Sequence, residues 1–115
     1  MTTVLVVDDQ DVVRDVVRLA LEAAGYAVLE TGSPLDAIDL AQESGEEISL
    51  LVTDVVMPEM DAFELAERIK NAIPGLPVLF TSGYTDATAE GHFIQKPFTP
   101  AQIVAKVDAV LAERS

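Results

Sequence analysis

Four short apolar runs in this chain end in side chains able to hold a cation or an anion. Val4 to Val7 leads into Asp8 and Asp9, Leu50 to Thr53 into Asp54, Val78 to Thr81 into Ser82, and Phe93 to Gln95 into Lys96. Carboxylates brought together repel one another, so either their pKa values rise or a cation joins them. A hard, oxygen-ligated ion is the natural choice, and Mg²⁺ on two carboxylates, a backbone carbonyl and water is the ordinary pattern. The Lys96 ammonium adds a second positive charge, which suits the set to a dianion such as a phosphoryl group. Each residue also has a plainer reading when taken alone. A lone aspartate at Asp8 or Asp9 is ordinarily a helix N-cap, and one at Asp54 a turn residue. A lone Lys96 is a solvated charge, and Ser82-Gly83 an ordinary turn. The chemistry therefore needs these four run ends to meet at one edge of the fold.

The elements between them support that meeting. Val4 to Val7 is apolar without alternation, as a strand buried on both faces is. From Asp11 the period becomes helical: Val13, Val16, Val17, Ala20 and Ala24 share one face, Arg14, Asp15, Arg18 and Glu22 the other, and Gly25 supplies the stop. Ala27 to Glu30 reads as a strand, and Ser33-Pro34 as an N-cap with proline in the first helical position. Ile38 and Ala41 face inward on that helix. Leu50 to Thr53 is a third strand, after which Met57-Pro58 keeps the chain extended until a helix carrying Phe63, Leu65, Ala66 and Ile69. Pro74-Gly75 ends it, and Val78 to Thr81 is a fourth strand. A polar stretch from Thr85 to Gly91 has little helical periodicity. Phe93 to Gln95 is a fifth strand, and Thr99-Pro100-Ala101-Gln102 is a capping box before the stripe Ile103, Val104, Val107, Val110 and Leu111. Strands alternating with helices predict an α/β layer fold with a parallel sheet, whose ligands bind beyond the carboxyl ends of the strands.

Composition narrows the function. A chain of 115 residues fits one domain, residues 1–115, and buries roughly 65% of its unfolded surface without needing metal clips or disulfides. The absence of cysteine excludes a disulfide framework, a thiolate zinc site and a thiol nucleophile. It also fits a reducing compartment, and a cytoplasmic location is expected. No apolar run is long enough to span a bilayer, and no basic segment precedes the first strand, so no membrane insertion is expected. A net charge of −13 repels a phosphate backbone, which argues against direct nucleic-acid binding. The single histidine, His92, offers no catalytic triad and reads as structural or solvated. Glycine-rich phosphate cradles are missing.

With these residues in view, the sequence resembles the receiver domain of bacterial two-component response regulators. The matching segments are Val4-Leu5-Val6-Val7-Asp8-Asp9, then Val52-Thr53-Asp54-Val55-Val56-Met57-Pro58 with Asp61, then Pro77 to Tyr84, and Gln95-Lys96-Pro97-Phe98. The wording is closest to receivers of hybrid sensor histidine kinases or small single-domain regulators. The resemblance implies a doubly wound five-stranded parallel sheet of flavodoxin-like order 2-1-3-4-5 with helices on both faces. It implies that Asp54 accepts a phosphoryl group from a histidine kinase or histidine phosphotransfer protein. It also implies that Mg²⁺ is bound by Asp9, Asp54 and the backbone carbonyl of Val56, with Asp8 acting through water. Lys96 would pair with the phosphoryl oxygens ahead of a cis bond to Pro97, and Ser82, preferred to Thr81, would be the switch hydroxyl. Phe93 occupies the family's aromatic position without a phenolic hydroxyl.

Two departures stand out. Ala62 follows Asp61 where the family has glycine, so a positive φ there would be strained. Only 14 positions separate Ser82 from Lys96, which predicts an abbreviated or disordered fourth helix. Competing functions are a phosphorylation-independent interaction module and a metal-dependent phosphatase. The latter commonly has a second aspartate two places after its nucleophile, where this chain has Val56. A flavodoxin-like electron carrier shares the sheet, but the acids after the first strand would repel a flavin phosphate.

Overall fold

The computed structural model describes residues 2–83 and 92–114. Its elements run β1 (Thr3–Val7), α1 (Asp11–Ala23), β2 (Ala27–Thr31), α2 (Pro34–Ser44), β3 (Ile48–Asp54), α3 (Ala62–Ala72), β4 (Val78–Ser82), β5 (His92–Gln95) and α4 (Pro100–Arg114). The five strands form one sheet in the order β2-β1-β3-β4-β5, with every neighbouring pair parallel. This is the expected doubly wound order.

Strand alternation sorts the apolar residues into two cores. Leu5, Val7, Leu51, Val78 and Phe80 face α2 and α3, where Ala37, Ala41, Leu65, Ala66 and Ile69 meet them. Val4, Val6, Leu50, Val52 and Leu79 face α1 and α4, against Val17, Leu21, Ile103, Val107 and Val110. Covering both faces is what requires the unbroken apolar runs of β1 and β3. Fully burying one such leucine contributes about 2 kcal/mol, so these central strands are the fixed frame of the molecule.

Helix ends follow local chemistry. The Ser33 hydroxyl accepts from the Asp36 amide at 3.3 Å ahead of Pro34. In the capping box Thr99 Oγ1 accepts from the Gln102 amide at 3.1 Å, and Gln102 Oε1 accepts from the Thr99 amide at 2.8 Å. Gly25, at φ 97°, takes the left-handed conformation that turns the chain out of α1 toward β2.

Several expectations need correction. On α1, Val16 is exposed and Ala24 lies past the helix, while Leu21 takes the core position. On α3, Phe63 is 41% exposed and Ala62 is fully buried instead. Ala62 carries no strain: no described non-glycine residue has positive φ, because Ala62 begins α3 with helical geometry under the Asp61 cap. The Asp61 carboxylate accepts from the Glu64 amide at 2.9 Å. The strands also run one to three residues longer than the apolar runs, β3 starting at Ile48 and reaching Asp54 itself. The expected shortening or disorder of a fourth helix falls on Tyr84 to Gly91, outside the described residues. Among the described residues no helix is long and apolar enough to cross a membrane.

Candidate functional site

The register of the sheet decides which side chains meet. Asp54 is the ladder partner of Thr81, and Thr81 of Ile94. Side chains two apart on a strand share a face, so Asp8 after Val6, Asp54 after Val52, Thr81 after Leu79 and Lys96 after Ile94 all continue the α1 and α4 side of the sheet. Ser82, two after Phe80, continues the other side. Backbone bonds lock the ends together: the Asp8 amide donates to Thr31 O at 3.2 Å, Val55 to Thr81 O at 2.9 Å, and Lys96 to Ser82 O at 2.7 Å.

Lys96 Nζ lies 3.3 Å from Asp8 Oδ2 and 3.4 Å from Asp54 Oδ1. One ammonium thus bridges two carboxylates that are 2% and 7% exposed. Burial pushes the Asp8 carboxyl above its ordinary value. The Gln10 amide, donating to Asp8 Oδ1 at 2.9 Å, and the Lys96 charge pull it back, and Asp54 raises it further. Asp9 is exposed, yet one carboxylate oxygen from each of Asp8, Asp9 and Asp54 lies within 4.8 Å of the others. Around an octahedral Mg²⁺ with bonds near 2.1 Å, adjacent oxygens stand about 2.9 Å apart and opposite ones about 4.2 Å apart. Oxygens within 4.8 Å of one another can share one hard cation, directly or through water, so the donor set fits Mg²⁺. Val56 sits in the turn after β3 with a 59% exposed side chain, its amide donating to Asp54 Oδ1 at 3.4 Å.

The structure therefore gathers Asp8, Asp9, Asp54 and Lys96 as the sequence suggests, and sets Val56 at the rim. Ser82 lies at the same edge, 6% exposed. The Lys96–Pro97 peptide is cis. His92 stays outside the site, with Nε2 3.2 Å from Glu113 Oε2. Phe93 packs on Phe80 with ring centroids 5.1 Å apart, and Phe63 caps Phe80 at 4.8 Å.

One contributor is not visible in the sequence. Arg14, assigned by periodicity to the solvated face of α1, bends back so that Nη1 donates to the Asp8 carbonyl at 2.7 Å, while Nη2 pairs with Asp11 at 2.6 Å. Gly32 leaves the room for it, since a Cβ there would stand 2.8 Å from Nη1. The Thr81 hydroxyl, which the sequence sets beside Ser82 at the end of the fourth strand, falls on the Asp54 side of the sheet by strand alternation from Leu79.

Comparison with known proteins agrees with this geometry. The family profile described as the response regulator receiver domain matches residues 4–108. The chain is 38% identical over 112 residues to the response regulator receiver protein CpdR of Brucella abortus (strain 2308), covering 90% of this chain and 91% of CpdR. It is 36% identical over 120 residues to the sensor kinase CckA of the same organism, covering 97% of this chain but 13% of that protein. Among solved structures, the receiver domain from the hybrid histidine kinase CckA superposes with a TM-score of 0.86 at 34% identity, covering 95% of this chain and 98% of that one. The Vibrio cholerae chemotaxis protein CheY4 gives 0.88 at 26% identity over 96% of this chain and 98% of that one.

Proposed function

The chain belongs to the response regulator receiver family of two-component signalling, and we propose that within it Asp54 is the phosphoacceptor. The donor is a phosphohistidine on a histidine kinase or histidine phosphotransfer protein. In the transfer the P–N bond to the imidazole breaks, the ring nitrogen keeps the electron pair, and an Asp54 oxygen forms the new O–P bond. The observation that carries this reading is the Lys96 bridge, 3.3 Å from Asp8 and 3.4 Å from Asp54, at the carboxyl edge of the sheet.

Each side chain has a definite task. The Val56 amide and Lys96 both contact Asp54 Oδ1, which orients the carboxylate and leaves Oδ2 without a described contact. Lys96 then follows the charge onto the phosphoryl oxygens, where a preorganised ammonium in a partly buried pocket acts more strongly than it would in water. Asp9, Asp54 and the Val56 carbonyl would hold Mg²⁺, with Asp8 one water away. When bound, the cation offsets the repulsion among the carboxylates and the charge on the transferring oxygens. Ser82 is the hydroxyl proposed to respond to phosphorylation. Residues 1–115 act as one receiver domain in this reading. Val56, aliphatic and exposed, supplies no second acid of the kind a phosphatase places there.

The test is labelling with a small acyl phosphate donor and Mg²⁺. Asp54→Ala should lose labelling by on the order of a thousandfold, the scale on which nucleophile removal acts. Its circular dichroism should stay that of the wild type. Labelling at the wild-type rate would refute Asp54 as acceptor.

A further inference from the structure

Thr81 is 2% exposed, and among the described residues its Oγ1 is the one buried hydroxyl without a hydrogen-bond partner. Three other threonine hydroxyls in the described structure are engaged. Thr53 Oγ1 donates to Asp54 O at 3.1 Å, Thr31 Oγ1 accepts from the Ser33 amide at 3.1 Å, and Thr99 Oγ1 accepts from Gln102. The remaining buried atoms without a hydrogen bond, Arg14 Nε and Glu30 Oε2, lie in ion pairs. An orphaned buried hydroxyl destabilises a fold, since it has lost its water and gained nothing. Valine has the same shape and would fit β4 at no such cost.

The position of Thr81 supplies what the fold does not. It is the ladder partner of Asp54, one strand spacing of about 4.8 Å away. Its side chain shares the α1 and α4 side of the sheet with Asp54, Asp8 and Lys96, whereas Ser82 continues the opposite side. It stands between β3, which carries Asp54, and β5, which leads to Lys96. Both described contacts of the Asp54 carboxylate fall on Oδ1, which leaves Oδ2 without a described contact.

We propose that Thr81 is a second phosphoryl-binding hydroxyl, distinct from Ser82, whose buried Oγ1 donates a hydrogen bond to the phosphoryl group carried by Asp54. The proposal rests on Asp54 being the acceptor. It assigns the unsatisfied hydroxyl to the phosphorylated state: the resting protein carries the desolvated donor, and the incoming phosphoryl oxygen satisfies it. No movement of β4 is needed, because Thr81 is already the ladder partner of Asp54 on the adjacent strand.

Beryllium fluoride, which mimics a phosphoryl group on a carboxylate, separates the two claims when titrated with Mg²⁺ and followed through amide resonances. Wild type should bind and Asp54→Ala should not. Thr81→Val should then bind about tenfold more weakly, as for a lost hydrogen bond to a charged group, and Thr81→Ser should stay within about threefold of wild type. Thermal unfolding gives the second readout. Thr81→Val should melt at or above the wild-type temperature, because an isosteric methyl replaces an unsatisfied hydroxyl. Equal affinity for Thr81→Val, beside a non-binding Asp54→Ala, overturns the Thr81 assignment and leaves Asp54 standing. Binding by Asp54→Ala, or none by wild type, removes Asp54 as acceptor and the Thr81 proposal with it. A Thr81→Val protein that melts lower than wild type shows the hydroxyl already partnered at rest, which also overturns the proposal.

Discussion

At the carboxyl ends of the strands Asp8, Asp9 and Asp54 bring oxygens within 4.8 Å of one another, with Lys96 between two of them. At the opposite end Glu43, Glu46 and Glu47 crowd the turn from α2 into β3 beside Ile73 and Pro74, all three exposed. The second group is closer together in sequence, yet it has none of the properties of the first. Its side chains are long, hang from a helix end and a turn, and are free to point apart in water. The aspartates are short; Asp8 and Asp54 are buried at the ends of the paired strands β1 and β3, and Asp9 follows directly on Asp8. Repulsion is relieved by solvent in one place, and by an ammonium and a cation site in the other. Acidic residues become a site when distant segments bury them together.

The largest expected contrast between the two ends is in stability. Lys96→Ala leaves Asp8 and Asp54 buried without their shared counter-charge and should cost about 3 kcal/mol in urea unfolding, as for breaking a buried pair. Glu46→Gln and Glu47→Gln should each change stability by less than about 0.5 kcal/mol. Comparable losses at both ends would break the contrast.

Metal binding sharpens it. Mg²⁺ should raise the stability of the wild type, by about 2.7 kcal/mol at a hundred times its dissociation constant. Asp9→Asn should weaken Mg²⁺ affinity about tenfold, the scale of one lost charged ligand. Glu47→Gln should leave it unchanged. Calorimetric titration of both variants checks this, and equal losses would mean that overall charge, and not the cluster, attracts the ion.

A third kind of carboxylate sets the lower bound. Asp108 on α4 is exposed yet partnered, accepting from the Tyr26 hydroxyl. Burial together with the Asp108 hydrogen bond and charge pushes the Tyr26 phenol up to about 12. The folded protein therefore holds this proton after the unfolded chain has lost it near pH 10. The resulting stability is present below pH 10 and is lost as pH rises from there toward about 12. Tyr26→Phe should cost about 1 kcal/mol at pH 8, with the gap to wild type closing by pH 12. Urea midpoints at the two pH values decide, and a gap that does not vary with pH would remove the Tyr26–Asp108 bond from the account.

Much of this was legible in the residues. Short runs ending in Asp8, Asp54, Ser82 and Lys96, alternating with helices, were enough for the parallel sheet and for the edge at which those residues meet, because apolar runs without alternation are buried on both faces and an intervening helix returns the chain to start the next strand in the same direction. The helix stripes were less well resolved: Val16 and Phe63 have apolar side chains at core spacing and are nevertheless exposed, since the covering of a face depends on the neighbouring helix as well as on period. Arg14 could not be read, because its long side chain crosses from a polar helix face to the Asp8 carbonyl only where Gly32 leaves space. The Thr81 hydroxyl differs from its neighbours only in lacking a partner, a property that exists once the strands are assembled.

The central claim is that the buried carboxyl edge is a phosphoryl-accepting site centred on Asp54. Treating the wild-type protein with a small acyl phosphate and Mg²⁺, reducing the acyl phosphate with borohydride and mapping the modified residue by mass spectrometry tests it most directly. The account predicts a single modified side chain, Asp54. Modification at Asp8 or Asp9 instead, or at the Glu43–Glu47 turn, would contradict it.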